Sequence, residues 1–234
     1  KDAVTHAREQ VADLINAKPS EVYFTAGGTE SDNWALFGTA EKLKSKGNHI
    51  ITTKIEHHAI LHSCAYLEKE GYEVTYLDID KDGRISLKQL EEAITDKTIL
   101  ISIMLVNNEI GTVQPIKEAA AIAKKHGVLF HTDAVQGLGN VDIDVKDMGV
   151  DMMSMSSHKI YGPNGSGALY IRKGVVIDNY LHGGAQENRR RAGTENLTGI
   201  VGFGKAAELA KANFKGHVEH CSSLRNYLKD RIIS

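Results

Sequence analysis

The 234-residue chain holds only two cysteines, Cys64 and Cys221, three prolines and one tryptophan. Two cysteines allow one disulfide at most, not a disulfide framework, and a reduced cytoplasmic setting is the expectation. Charge of one sign is also missing: 28 Lys and Arg stand against 30 Asp and Glu, a net charge of −2 with histidine neutral. That balance gives no electrostatic reason to expect nucleic acid or an anionic membrane as a partner. Long apolar runs are absent too. The longest, residues 99–106 broken only by Ser102, is far too short to span a bilayer. The opening stretch KDAVTHAREQVADLINA is charged and amphipathic and has no apolar core, so it does not read as a signal peptide. There is no initiator Met, and the final NYLKDRIIS stops inside a helical pattern, so the chain is expected to be cut from a longer one.

What is present describes an ordinary globular protein, with 41% hydrophobic and 25% charged residues. Val4, Ala7, Val11, Leu14 and Ile15 share one helical face. Beyond Pro19, strand patterns at 21–25, 49–53, 72–77, 98–106, 128–133, 151–157 and 167–173 alternate with helical patterns at 30–46, 59–70, 86–94 and 115–126. A long helix is expected from about 196 to 213, with Gly216 separating it from a last amphipathic helix. Strands alternating with helices predict an α/β fold, a mostly parallel sheet with helices on both faces. Residues 1–213 read as one large domain, and 214–234 as a helix leading toward a carboxyl-terminal small domain outside this chain.

In such sheets ligands collect beyond the carboxyl ends of the strands. There the sequence places Gly27-Gly28-Thr29, Glu56-His57-His58, Asn107-Asn108-Glu109, Asp133 with Gln136, and Ser156-Ser157-His158-Lys159. The glycine pair opens a helix, and bare N–H groups at a helix start suit a phosphate. Lys159 at a strand end is a candidate amine nucleophile, and Asp133 a carboxylate that needs a partner. Each has a plainer reading: Thr29 and Asp133 as helix caps, Lys159 as a surface lysine. Taken together they suit pyridoxal 5'-phosphate, with a lysine for the Schiff base, an acid on the pyridine nitrogen and a histidine ring stacked on the cofactor.

The stretches FTAGGTESDN (24–33), IEHHAIL (55–61), VNNEIGTVQPI (106–116), HTDAVQ (131–136), SSHKIYGPNGSGALYIR (156–172) and HGGAQENRRRAGTEN (182–196) resemble cysteine desulfurases of the NifS/IscS type, within the class V aminotransferases of PLP fold type I. The likeness runs through nearly the whole chain in order. It implies Lys159 as the Schiff-base lysine and Asp133 as partner of the pyridinium nitrogen. His57 is then the stacking, proton-moving ring. Gln136 bonds the ring oxygen, and Asn108 sits beside it near the substrate carboxylate. Thr29, Ser156 and His158 hold the phosphate with the Gly28–Thr29 backbone. Thr194 reaches the phosphate of a neighbouring subunit, which implies a homodimer. Arg189–Arg191 then lie near the interface, although the plainer reading, favoured for Arg190 and Arg191, is a solvated basic loop. The implied reaction converts L-cysteine to L-alanine and passes sulfur, as an enzyme-bound persulfide, to an acceptor such as an iron–sulfur scaffold protein or a tRNA-thiolation partner. Selenocysteine lyase, class V aminotransferase and a non-catalytic scaffold module are the alternatives.

The family's sulfur-accepting cysteine and the arginine beyond it have no counterpart here, and Cys64 and Cys221 match neither position; both read as small buried or half-buried residues. Asp78, Asp80, Asp82 and Gly83 begin like a calcium loop, but Gln89 stands where the bidentate glutamate belongs. It reads instead as a capping-box partner of Ser86. His57, His58, His62 and Cys64 do not complete a metal site, and His131 inside a strand reads as a satisfied core histidine.

Overall fold

The computed structural model describes residues 2–233. In chain order the elements are α1 (Asp2–Leu14), β1 (Val22–Thr25), α2 (Gly28–Leu43), β2 (His49–Thr53), α3 (His58–Lys69), β3 (Glu73–Leu77), α4 (Leu87–Ala93), β4 (Thr98–Ser102), α5 (Ile116–Lys125), β5 (Leu129–Asp133), α6 (Val145–Met148), β6 (Met152–Ser156), β7 (Gly167–Ile171), α7 (the turn Gln186–Arg189) and α8 (Leu197–Ile233). The strands form one sheet in the order β1-β7-β6-β5-β4-β2-β3. Only β7 runs against the rest: it pairs antiparallel with both β1 and β6, and the other pairings are parallel.

A strand turns successive side chains to opposite faces, and both faces of this sheet are covered. Ile50, Leu100, Met152 and Leu169 pack into one core with Trp34, Leu36 and Ile60 of α2 and α3. Their neighbours Ile51, Ile101, Met153 and Tyr170 pack into the other with Val11, Ala119 and Phe203 of α1, α5 and α8. The uninterrupted apolar reading of β4 follows from burial on both sides.

Among the elements and their caps, the structure departs from the sequence reading at β4, α8 and the start of α2. The strand expected over 98–106 ends as regular ladder at Ser102, although Ile103 N–H still donates to His131 O (3.1 Å) and Leu105 N–H to Asp133 O (2.8 Å). Gly216 does not break the last helix, which runs unbroken over Leu197–Ile233. An interior glycine costs only about 1 kcal/mol of helix propensity, too little by itself to stop a long helix. Thr29 is not the cap of α2: Gly27 holds that position and offers no side chain to the first turn.

Candidate active site

The parallel strands deliver their carboxyl ends to one edge, where a cavity of about 180 Å³ opens. It is lined by Gly28, Thr29, His57, Asn108, Asp133, Gln136, Ser156, His158 and Lys159, together with Asp32, Met104, Val106 and Val135. Residues from five strand ends thus meet in one space, and Lys159 and Asp133 face the same cavity. Thr194 lies outside it, exposed on the loop before α8.

The glycine turn is shaped by contact. A Cβ on Gly28 would sit 2.5 Å from Val135 Cγ2, and one on Gly167 would sit 2.6 Å from Gly27 Cα. Bulkier residues would force β7 and the loop after β5 away from the turn. Because Gly27 supplies no cap, the first N–H groups of α2 have no side-chain acceptor from the cap residue and carry the positive end of the helix dipole. Glu30 reaches back instead to accept from Ala26 N (2.8 Å).

Asp133 ends β5 and is buried, and its Oδ1 accepts from Val135 N–H at 2.9 Å. Burial pushes its carboxyl above the ordinary range; the Val135 N–H, His57 and Lys159 pull it back down. His57 caps α3 through Nδ1, which accepts from Ala59 N–H at 3.1 Å. A neutral ring therefore carries its proton on Nε2, the one nitrogen left for other partners. Ser156 Oγ bonds His158 Nδ1 at 2.8 Å, tying the two together at the end of β6, and Lys159 sits in the 3₁₀ turn Ser157–Ile160 that follows. Asn108 donates to Glu109 Oε1 at 2.8 Å.

Sequence reasoning passed over Asp32 and did not assign Glu56, yet both are buried at this edge. Glu56 Oε1 accepts from Thr53 Oγ1 (2.7 Å) and Met104 N (3.1 Å), and burial lifts its carboxyl to about 8. Asp32 lies one helical turn beyond Gly28, so it shares the face of α2 that the cavity touches. That i,i+4 spacing was the available signal.

Arg190 and Arg191 are not in a solvated loop. Arg191 makes two hydrogen bonds to Glu30 (2.7 and 3.0 Å), and the Arg190 guanidinium lies 5.1 Å from the centre of the Tyr23 ring. Neighbouring Glu187 is buried, where it accepts from Arg8 (2.6 and 2.7 Å) and Phe24 N (2.8 Å). Cys64 is a buried thiol pushed up to about 12 by burial, then by Glu56 and Glu68. Cys221, expected to be at least half-buried, is exposed on α8 because nothing described here packs over that part of the helix. Asp80 Oδ1 accepts from the N–H groups of Asp82 and Arg84 (both 2.9 Å), so this loop spends its carboxylate on its own backbone. Ser86 caps α4 by accepting from Gln89 N–H. His131 has a serine on each ring nitrogen, Ser102 and Ser154, both at 2.9 Å. Among the described residues no group of three His, Cys, Asp or Glu could hold a metal, and no helix is long and apolar enough to cross a membrane.

Comparison with known proteins bears on this geometry. Residues 1–234 match the class-V aminotransferase family. A cysteine desulfurase IscS of Clostridium botulinum (strain Hall) is 58% identical over 97% of this chain and 57% of its own length. A solved NifS-like protein superposes with a TM-score of 0.96 at 41% identity, over 99% of this chain and 64% of that one. The solved structure of SspA in complex with cysteine matches at a TM-score of 0.86 and 48% identity, over 88% of this chain and 60% of that one. The chain thus spans little more than half the length of the curated relative.

Proposed function

The chain belongs to the class-V aminotransferase family, and from that premise we propose that its cavity binds pyridoxal 5'-phosphate in a protein whose whole activity is cysteine desulfuration. The observation that carries the reading is the meeting of Lys159 and Asp133 in one cavity whose rim is an uncapped helix start.

The residues fit the cofactor. The glycine turn leaves the first N–H groups of α2 without a side-chain acceptor from the cap residue, which suits a phosphate. Ser156 and His158 add polar groups on the same rim, and Thr29 adds a hydroxyl. Asp133 is an acid whose burial makes a cationic partner valuable. When bound, the cofactor supplies an electron sink for the pair left at the substrate α-carbon, provided its ring nitrogen stays protonated. Asp133 holds that proton by charge. Lys159 supplies the amine for covalent attachment. His57 lines the same cavity and would move protons at Nε2, because Nδ1 is already committed to Ala59. Asn108 and Gln136 orient polar atoms of cofactor and substrate.

The substrate of the whole protein is L-cysteine, the ligand named for a solved relative, and its product is alanine plus sulfur held as a persulfide. The sulfur-accepting thiol is neither cysteine of this chain, since Cys64 is buried with a high pKa and Cys221 stands far along α8. Sulfur passes on to an acceptor such as an iron–sulfur scaffold. Thr194 serves the phosphate of a second subunit in a homodimer, a role supported by its exposure and its position outside its own cavity. Residues 1–213 form the cofactor-binding domain. Past Ala207 no residue of α8 is buried, and Leu224, Tyr227, Leu228, Ile232 and Ile233 are exposed, which supports residues 214–234 as a segment leading to a second domain.

The test is optical. Adding pyridoxal phosphate to the chain should produce a visible absorbance band that Lys159→Ala abolishes. Equal absence of the band in both proteins would overturn the assignment.

A further inference from the structure

More carboxyl groups lie around the cavity than the proposed function uses. Asp32 is 1% exposed, lines the same cavity as Asp133, and its Oδ1 has no hydrogen-bond partner among the described residues. An isolated charge in such a place is expensive unless a cation faces it. The groups around it supply none. His131 Nε2 is 3.7 Å away, but both ring nitrogens of that histidine are bonded to serine hydroxyls, and burial drives its pKa down to about 3. It brings no charge at neutral pH. From β6, Ser154 offers a hydroxyl; from β5 and the loop after β2, Asp133 and Glu56 offer only further acids. His57 and Lys159 act on Asp133 instead.

Resting on the pyridoxal phosphate reading, we propose that Asp32 is a positioning residue that stays a neutral carboxylic acid, lining the cavity with a hydrogen-bonding group that carries no charge, so that Asp133 alone faces the ring nitrogen as an anion. Two acids sharing a buried space cannot both ionise cheaply, and the one with less help keeps its proton. Burial, then Asp133, then Glu56 raise the Asp32 carboxyl well above its ordinary range, and only the Ser154 hydroxyl opposes them. Asp133 is raised by burial alone, and an N–H group and two basic side chains oppose it. The remaining acid neighbour, Glu56, is itself lifted by burial to about 8.

Infrared difference spectroscopy on the cofactor-free protein at neutral pH tests the protonation directly. The spectrum of wild type minus Asp32→Asn should contain a protonated-carboxyl C=O stretch; loss of carboxylate bands alone would overturn the proposal. Isotope-labelled aspartate identifies the same stretch in wild type, so the result does not depend on the variant folding. With pyridoxal phosphate bound, Asp32→Asn should keep affinity within about threefold and leave the pH midpoint of the visible band in place, because no charge is removed. Asp32→Ala should weaken binding by about tenfold, as expected for loss of a buried hydrogen-bonding group. A midpoint moved by about one unit or more in the Asn variant, or an Ala variant that binds like wild type, would sink the assignment. Failure of wild type to bind pyridoxal phosphate would refute the functional reading, and the infrared arm would still decide the state of Asp32.

Discussion

Arg191 grips Glu30 through two hydrogen bonds, 2.7 and 3.0 Å long, and so ties the loop that carries Thr194 to the first turn of α2. Glu30 also accepts from Ala26 N, so one carboxylate joins the glycine turn, the helix start and the arginine loop. Both side chains of the pair are largely buried, at 17% and 14% exposure. Arg191→Ala should therefore cost about 2 kcal/mol, between the values typical of surface and buried pairs. Amide exchange in residues 182–196 should rise at the same time. Unchanged exchange in that loop would show that the pair does not hold it.

A second arginine anchors the same loop from behind. Glu187 is buried against Arg8 and the Phe24 N–H, and residues 187–189 all have positive φ (46°, 57° and 66°). That backbone is costly for side-chain-bearing residues and persists only where surrounding contacts hold it. Glu187→Ala strands the Arg8 cation and should cost about 3–5 kcal/mol in a urea unfolding experiment.

Asp133→Ala removes the one anion assigned to the cofactor ring. Breaking a buried, charge-paired contact is worth about 3–5 kcal/mol, which corresponds to at least a hundredfold loss of pyridoxal phosphate affinity. Titration of the visible band measures it, and affinity equal to wild type would remove Asp133 from its role.

Gly28→Ala puts a methyl group 2.5 Å from Val135 Cγ2, a short and stiff side chain. Relieving that overlap should cost about 1–3 kcal/mol and open the glycine turn. Cofactor affinity should fall more than in Gly216→Ala, whose new Cβ meets nothing within 4 Å.

Two buried groups shape stability against pH in opposite directions. Glu56 is raised to about 8 from 4.5, so between these values the unfolded chain releases a proton that the native state keeps. Its contribution is full below about 4.5 and is lost as pH climbs through 8. His131 is lowered to about 3 from 6.5, so its contribution is full above 6.5 and is lost as pH falls toward 3. Urea unfolding across pH should show Glu56→Gln flattening the alkaline limb, by an amount on the order of a few kcal/mol, and leaving the acid limb alone.

The elements were legible because local pattern sets them. The apolar run at 98–106, the turn glycines and the Ser86 cap each report a short-range preference, and the structure realises them, with β4 cut short at Ser102. The rule that ligands gather beyond parallel strand ends put Gly28, His57, Asp133 and Lys159 at one sheet edge, and they do line one cavity there. Gly216 misled because an interior glycine costs a helix only about 1 kcal/mol. Arg190 and Arg191 misled because a charged triplet looks solvated until the folded chain supplies Tyr23 and Glu30.

The sequence alone determined the order of strands and helices and which polar residues end each strand, since both depend on side-chain periodicity and backbone preference within a few residues. Only tertiary structure decided that Asp32 and Glu56 are buried with an oxygen left unpartnered, and that Arg191 answers Glu30. Those facts depend on which distant segments exclude water from a group and whether any of them brings a compensating charge, and desolvation is a property of the assembled neighbourhood rather than of any stretch of chain.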